Sequence, residues 1–128
     1  MFVAHRMRKS IVTAAPSASL FEAQRLMREH TIRQIPVVSE DGTLLGIVSD
    51  RDIRAAVLPA GLVPGFTTGE AEKFMKNTPV DRAMTRKVVT ATLTDTLEDA
   101  IVLLHDFRVN ALPVVDVAGK LAGIITRT

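Results

Sequence analysis

Cysteine is absent from the 128 residues, and so are tryptophan and tyrosine. The first absence excludes disulfides, thiolate metal sites and cysteine nucleophiles, and it fits a reducing compartment. The second leaves five phenylalanines as the only aromatics, so the core must be aliphatic and no aromatic platform for nucleic-acid bases exists. Charge of one sign is scarce too: 16 Lys and Arg stand against 14 Asp and Glu, a net of +2 with no basic run. No apolar stretch approaches the roughly 18 residues a membrane helix needs, and no signal-peptide pattern opens the chain. His5, His30 and His105 lack ligand spacing, and no nucleophile motif or phosphate loop occurs. These absences predict a cytoplasmic globular protein that is not an enzyme, holds no metal, and binds neither nucleic acid nor membrane.

What is present is a repeat. Val3, Met7, Val12-Thr13-Ala14, Leu20, Ala23, Leu26, Pro36-Val37-Val38, Gly42, Leu44 and Gly46-Ile47 all recur. Their counterparts are Val80, Met84, Val89-Thr90-Ala91, Leu97, Ala100, Leu103, Pro113-Val114-Val115, Gly119, Leu121 and Gly123-Ile124, 77 positions on and without a gap. Each copy must be one supersecondary unit. A unit of about 50 residues buries too little surface to stand alone, so two copies are expected to share a core. The boundaries read as 1–58 for the first unit, 59–79 for a connector and 80–128 for the second.

Within a copy, a short helical lead-in at Val3–Met7 precedes a β-branched strand, Ile11-Val12-Thr13 or Val88-Val89-Thr90. Ser19 with Glu22, and Thr96 with Asp99, then open helices as capping boxes, hydroxyl bonding forward and acid bonding back. Leu20, Ala23 and Met27 share one helical face, as do Leu97, Ala100, Ile101 and Leu104. Ile35-Pro36-Val37-Val38 reads as a buried strand whose proline belongs at its start or on an edge. Glu40-Asp41-Gly42 and Ala118-Gly119 read as hairpin turns, followed by return strands at Leu44–Val48 and Leu121–Ile125. Ser49-Asp50-Arg51-Asp52 opens a closing helix to about Val57, Pro59–Thr68 reads as a loop, and Glu70–Lys76 as one or two helical turns. In the second copy the chain stops at Thr128, before a closing helix or a counterpart of Asp52, so that unit is C-terminally incomplete.

A strand-helix-strand-strand-helix unit present twice, with hydrophobic-Pro-Val-Val and Gly-hydrophobic-hydrophobic-Ser/Thr strands, resembles the CBS domain pair, or Bateman module. The resemblance spans nearly the whole chain except 53–79. It implies an α/β fold of two tandem units packed around a pseudo-twofold axis. It also implies two clefts between the units that take AMP, ADP, ATP or S-adenosylmethionine, and a regulatory role through an attached effector domain or partner. CBS pairs also commonly form disc-like dimers, so a homodimer is expected.

The candidate site residues follow from the matching motifs. Ser49 and Asp52 have a plain reading as a second capping box. They have a functional one as well: a helix N-terminus favours phosphate, and in this family the Ser or Thr faces the phosphate while the Asp holds the ribose hydroxyls. Thr13, Ala15 and Pro16 follow the first strand, where the resemblance implies backbone pairing with adenine. Arg33, Gln34, Ile35 and Pro36 would line the pocket, with Arg33 and Arg51 as rival phosphate partners. The second copy offers Thr90, Thr92, Asn110, Ala111, Pro113 and Thr126, but Asn110-Ala111 replace Arg33-Gln34. The expected function is a sensor of an adenine nucleotide, AMP or ATP by default, with no catalytic cofactor. The alternatives are a ligand-free structural or dimerisation module and an S-adenosylmethionine sensor.

Overall fold

The computed structural model describes residues 1–61 and 65–127. Its elements run α1 (Leu20–His30), β1 (Gln34–Val38), β2 (Leu44–Ser49), α2 (Asp50–Gly61), α3 (Thr68–Lys76), β3 (Ala91–Thr92), α4 (Leu97–Asp106), β4 (Ala111–Val115) and β5 (Leu121–Thr126). Short 3-10 turns at Val3–His5 and Val80–Arg82 form the two lead-ins. β1 pairs with β2, and β3, β4 and β5 form a three-stranded sheet in that order.

The compact units are not the linear repeats. The first-repeat unit consists of Val12–Val38 and Leu45–Arg86, and the second-repeat unit of Met1–Ile11, Ser39–Leu44 and Lys87–Thr128. Each unit therefore takes its lead-in from the other copy. Val80 and Met84 are buried with Leu20, Ile35, Val37 and Val48, while Val3 is buried with Ala100, Leu112 and Val114. The buried hydrophobic residues among those described include no aromatic, and Phe21 and Phe74 pack only at the margin of the first cluster.

In the second-repeat unit β3 runs parallel to β4, Ala91 beside Val114. β4 and β5 are antiparallel with Ala111 opposite Thr126 and Val114 opposite Gly123, and a bulge follows at Val115. The two hairpin turns also meet here: Leu44 N–H donates to the Gly119 carbonyl at 3.1 Å, and its counterpart Leu121 N–H donates to the Gly42 carbonyl at 3.0 Å. Gly42 and Gly119 adopt φ of +90° and +82°, where a side chain would strain the backbone.

Several expectations shift. The first strand of each copy pairs later than Ile11–Thr13 and Val88–Thr90: the bridges form at Ala14 and at Ala91–Thr92. Val12 and Val89 pack on the cores without joining a ladder, so their β-branched character reflects burial rather than strand pairing. Pro36 sits third of five in β1, not at its start. Its carbonyl accepts from Ala14, so its nitrogen faces that same flank, where pairing begins only at Ala14, and no ladder bond is lost.

The α1 box is half made: Ser19 Oγ accepts from the Glu22 N–H, but the Glu22 carboxylate turns to Arg25 at 2.6 and 3.0 Å. Two charge-assisted bonds outweigh one to a backbone amide, and they hold the Glu22 carboxyl below its ordinary pKa. The Thr96–Asp99 box is complete. Finally, Pro59 lies inside α2 rather than in a loop. It falls in the last turn, where one lost i→i−4 bond leaves the helix standing. The expected loop narrows accordingly, and its positions 62–64 lie outside the described residues.

Candidate functional site

Three stretches distant in sequence meet in the first-repeat unit. Ala14 donates its N–H to the Pro36 carbonyl and accepts from Val38 N–H, both at 3.0 Å, which lays Thr13–Pro16 along β1. Asp50 N–H donates to the Arg33 carbonyl at 3.0 Å, which ties the start of α2 to the entry of β1. Ile35 and Pro36 are buried, Pro16, Gln34, Ser49 and Asp52 half-buried, and Thr13, Ala15, Arg33 and Arg51 exposed. The buried pair forms a floor while the polar groups stay accessible.

Gly46 places this edge. A Cβ there would lie 2.7 Å from the Thr85 carbonyl oxygen and 2.8 Å from Met84 Sδ. Without it the chain runs close enough for Ile47 and Thr85 to exchange backbone bonds at 2.9 and 2.8 Å. β2 then passes directly into α2 at Ser49. Ser49 Oγ accepts from Asp52 N–H at 3.0 Å, and Asp52 Oδ2 accepts from Ser49 N–H at 2.9 Å. Asp52 Oδ1 has no partner among the described residues, and the Ser49 hydroxyl proton is likewise uncommitted. Asp50 pairs with Arg54 at 3.8 Å, while Arg33 and Arg51 at this site are exposed and in no ion pair among the described residues.

The second-repeat unit repeats the frame with different chemistry. Arg127 N–H donates to the Asn110 carbonyl at 3.0 Å, matching the Asp50–Arg33 bond. Ala111 and Pro113 are buried, Thr90 half-buried, and Thr92, Asn110 and Thr126 exposed. One residue escaped the sequence reading. Asp95 Oδ2 accepts from Thr92 N–H at 2.9 Å. Its counterpart is Ala18, so the matching N–H, of Ala15, has no intramolecular acceptor among the described residues. Comparing the repeats column by column exposes this difference, because Ala18 opposite Asp95 is a change of chemistry within a near-identical frame.

No group of three or more His, Cys, Asp or Glu suited to a metal occurs among the described residues. No helix among them is long and apolar enough to cross a membrane.

Known proteins share this frame. The CBS-domain family model matches residues 3–59 and 80–128. An uncharacterised protein of Methanocaldococcus jannaschii is 35% identical over 147 aligned positions, covering 99% of this chain and 87% of that protein. The crystal structure of CBSX2 in complex with AMP superposes with a TM-score of 0.79 at 31% identity, covering 98% of this chain and 90% of the other. The CBS domain pair of protein MJ0100, in complex with 5′-methylthioadenosine and S-adenosyl-L-methionine, superposes with a TM-score of 0.76 at 26% identity, covering 98% and 89%. Other relatives are far longer: the chain spans only 21% of an inosine-5′-monophosphate dehydrogenase of Halobacterium salinarum, to which it is 31% identical over 119 residues. With the motif present in both copies and the fold matched along nearly its full length, the chain belongs to the CBS domain family.

Proposed function

We propose that this chain is a regulatory module that binds an adenosine-containing ligand on the first-repeat site and carries out no catalysis of its own. The observation that carries the reading is the convergence of Thr13–Pro16, Arg33–Pro36 and Ser49–Asp52 through the Ala14–Pro36 and Asp50–Arg33 backbone bonds. The free N–H of Ala15 offers a main-chain donor to the adenine edge. Asp52 Oδ1 accepts from a ribose hydroxyl, and the Ser49 hydroxyl, Arg33 and Arg51 surround the place of a phosphate at the start of α2. AMP, 5′-methylthioadenosine and S-adenosyl-L-methionine, named in complexes of two similar proteins, share the adenosyl group, which supports reading that moiety. AMP or ATP fits best, because two exposed arginines favour an anionic tail. The output passes to an attached domain or a partner protein.

Calorimetric titration with AMP, ATP, S-adenosylmethionine and GMP tests this. At least one adenosyl ligand is expected to bind, and GMP at least about tenfold more weakly. A ligand at 100 times its dissociation constant adds about 2.7 kcal/mol to stability, which raises the melting temperature by several degrees. No heat and no melting shift with any adenosyl ligand at millimolar concentration overturns the proposal. It would favour a purely structural module, a reading that the closed Ser49–Asp52 cap supports, since that cap starts α2 without a ligand.

A further inference from the structure

Ala18 in the first repeat and Asp95 in the second stand on the same backbone frame. Ala18 N–H donates to the Ala15 carbonyl at 3.0 Å, and Asp95 N–H donates to the Thr92 carbonyl at 3.1 Å, so both close the same turn. Each then receives a lead-in: the Ala18 carbonyl accepts from Val80 N–H at 2.7 Å and the Asp95 carbonyl from Val3 N–H at 2.8 Å. With both backbone groups bonded alike, the two Cβ atoms leave the turn with the same heading.

The side chains differ in one consequence. Asp95 Oδ2 accepts from Thr92 N–H at 2.9 Å. Alanine has no acceptor, so the matching N–H, of the exposed Ala15, stays open among the described residues. An open main-chain donor can pair with a ring nitrogen of adenine. Where a carboxylate already holds that donor, the ring nitrogen meets an acceptor instead, and two acceptors repel.

We propose that this position determines which repeat accepts an adenine: Ala18 leaves the first-repeat edge open, and Asp95 shuts the equivalent edge of the second. The inference rests on the adenosyl site proposed above and names the residue that selects it. The selector acts through the availability of one backbone N–H. It governs the base end alone, whatever the tail of the ligand, and is separate from Arg33 and Arg51.

Two variants of the full chain test it. Ala18→Asp copies the second repeat onto the first, and Ala18→Asn supplies a similar oxygen without the charge. Hydrogen exchange of single amides is read beside calorimetry with AMP and with adenosine, which lacks the phosphate. In the unmodified chain the Ala15 amide should exchange fast and be slowed by AMP, whereas Thr92 exchanges slowly with or without it. Asp95→Ala should speed exchange at Thr92. Ala18→Asp should protect Ala15 without ligand and lower AMP affinity about 10- to 100-fold, the range of a hydrogen bond to a charged group. Ala18→Asn should lose about two- to tenfold, as for a neutral bond. Adenosine should lose the same factors as AMP. Undiminished affinity in a variant that protects Ala15 overturns the proposal. So does Ala15 left unprotected in both variants, since the two turns would then not be equivalent. A loss seen with AMP but not with adenosine also overturns it, because phosphate repulsion would be the cause. These results leave the proposed function standing; an unmodified chain that binds neither ligand removes both.

Discussion

Ser49 and Asp52 cap one another: the Ser49 hydroxyl accepts from the Asp52 N–H at 3.0 Å while Asp52 Oδ2 accepts from the Ser49 N–H at 2.9 Å. The pair answers two needs with separate atoms. The cap takes the serine lone pair and one carboxylate oxygen. The serine proton and the second carboxylate oxygen remain for a ligand. A helix cap and the proposed ligand grip are therefore compatible readings of the same two residues, because the cap uses atoms other than those offered to a ligand.

That placement depends on the close approach at Gly46. Gly46→Ala should destabilise the chain by about 1–3 kcal/mol, since its Cβ would press on the Thr85 backbone oxygen at 2.7 Å. Gly123→Ala should cost less. The corresponding backbone oxygen, of Arg8, lies at 3.0 Å, and the other obstacle is the flexible Met7 side chain. Urea unfolding of the two variants, compared at equal m-value, gives the order; a larger loss at Gly123 would contradict this account.

Much of this fold is legible in the sequence because the chain states it twice. The helices α1 and α4 and the hairpin glycines fall where the repeat places them, and the Ser49–Asp52 cap where its own capping pattern does. What is not legible is which core each lead-in enters. Val3 and Val80 sit in near-identical motifs and are both 0% exposed, so either would fit either core. Only the chain path decides that they cross over. The sequence places the first strands early for a related reason, since a half-buried Val12 looks the same whether or not its backbone is paired. At the site, the side chains of Ser49 and Asp52 announce themselves, whereas the free N–H of Ala15 is visible only once Asp95 is seen to occupy its counterpart.

The hairpin turn at Asp41 should show a depressed titration. The Ser39 hydroxyl, the Thr43 hydroxyl and the Thr43 N–H all donate to its carboxylate, and Lys120 adds a nearby charge, bringing the pKa from 3.8 to about 2. The folded value lies below the unfolded one. The carboxylate therefore stabilises the turn fully above about pH 4, and that contribution is lost as the pH falls towards 2. Carboxyl chemical shifts across that range should put the midpoint well below 3.8. In Asp41→Asn the melting temperature should depend less on pH between 4 and 2.

Ile53 anchors α2. Replacing it with alanine removes a side chain that is 2% exposed, at a cost of about 2–5 kcal/mol. Because α2 begins at Asp50 and carries Asp52, its loosening should also weaken nucleotide binding. Leu58→Ala on the same helix, at 64% exposure, is the control and should change neither quantity measurably. Thermal melts and titrations of both variants with AMP make the comparison.

Asp52→Asn separates the two tasks of the carboxylate. Asparagine has one oxygen and one amide nitrogen, so only one of the two positions, the one facing the Ser49 N–H or the one offered to a ribose hydroxyl, keeps an acceptor. The cap is the nearer demand, since its partner is covalently fixed at 2.9 Å. Stability without ligand should therefore fall by no more than about 0.5–1 kcal/mol. The ribose would then face an amide donor in place of a charged acceptor. Hydrogen bonds to charged groups contribute roughly 1.5–3 kcal/mol each, so affinity for AMP should drop about 10- to 100-fold. Thr126→Ala, at the position matching Ser49 in the second repeat, should leave that affinity unchanged, because Thr126 is not among the first-repeat residues proposed to hold the ligand. Calorimetry with AMP on both variants reads the difference directly. Unchanged affinity in Asp52→Asn would mean that the motif serves only to start α2, and the ligand would have to be sought elsewhere on the chain.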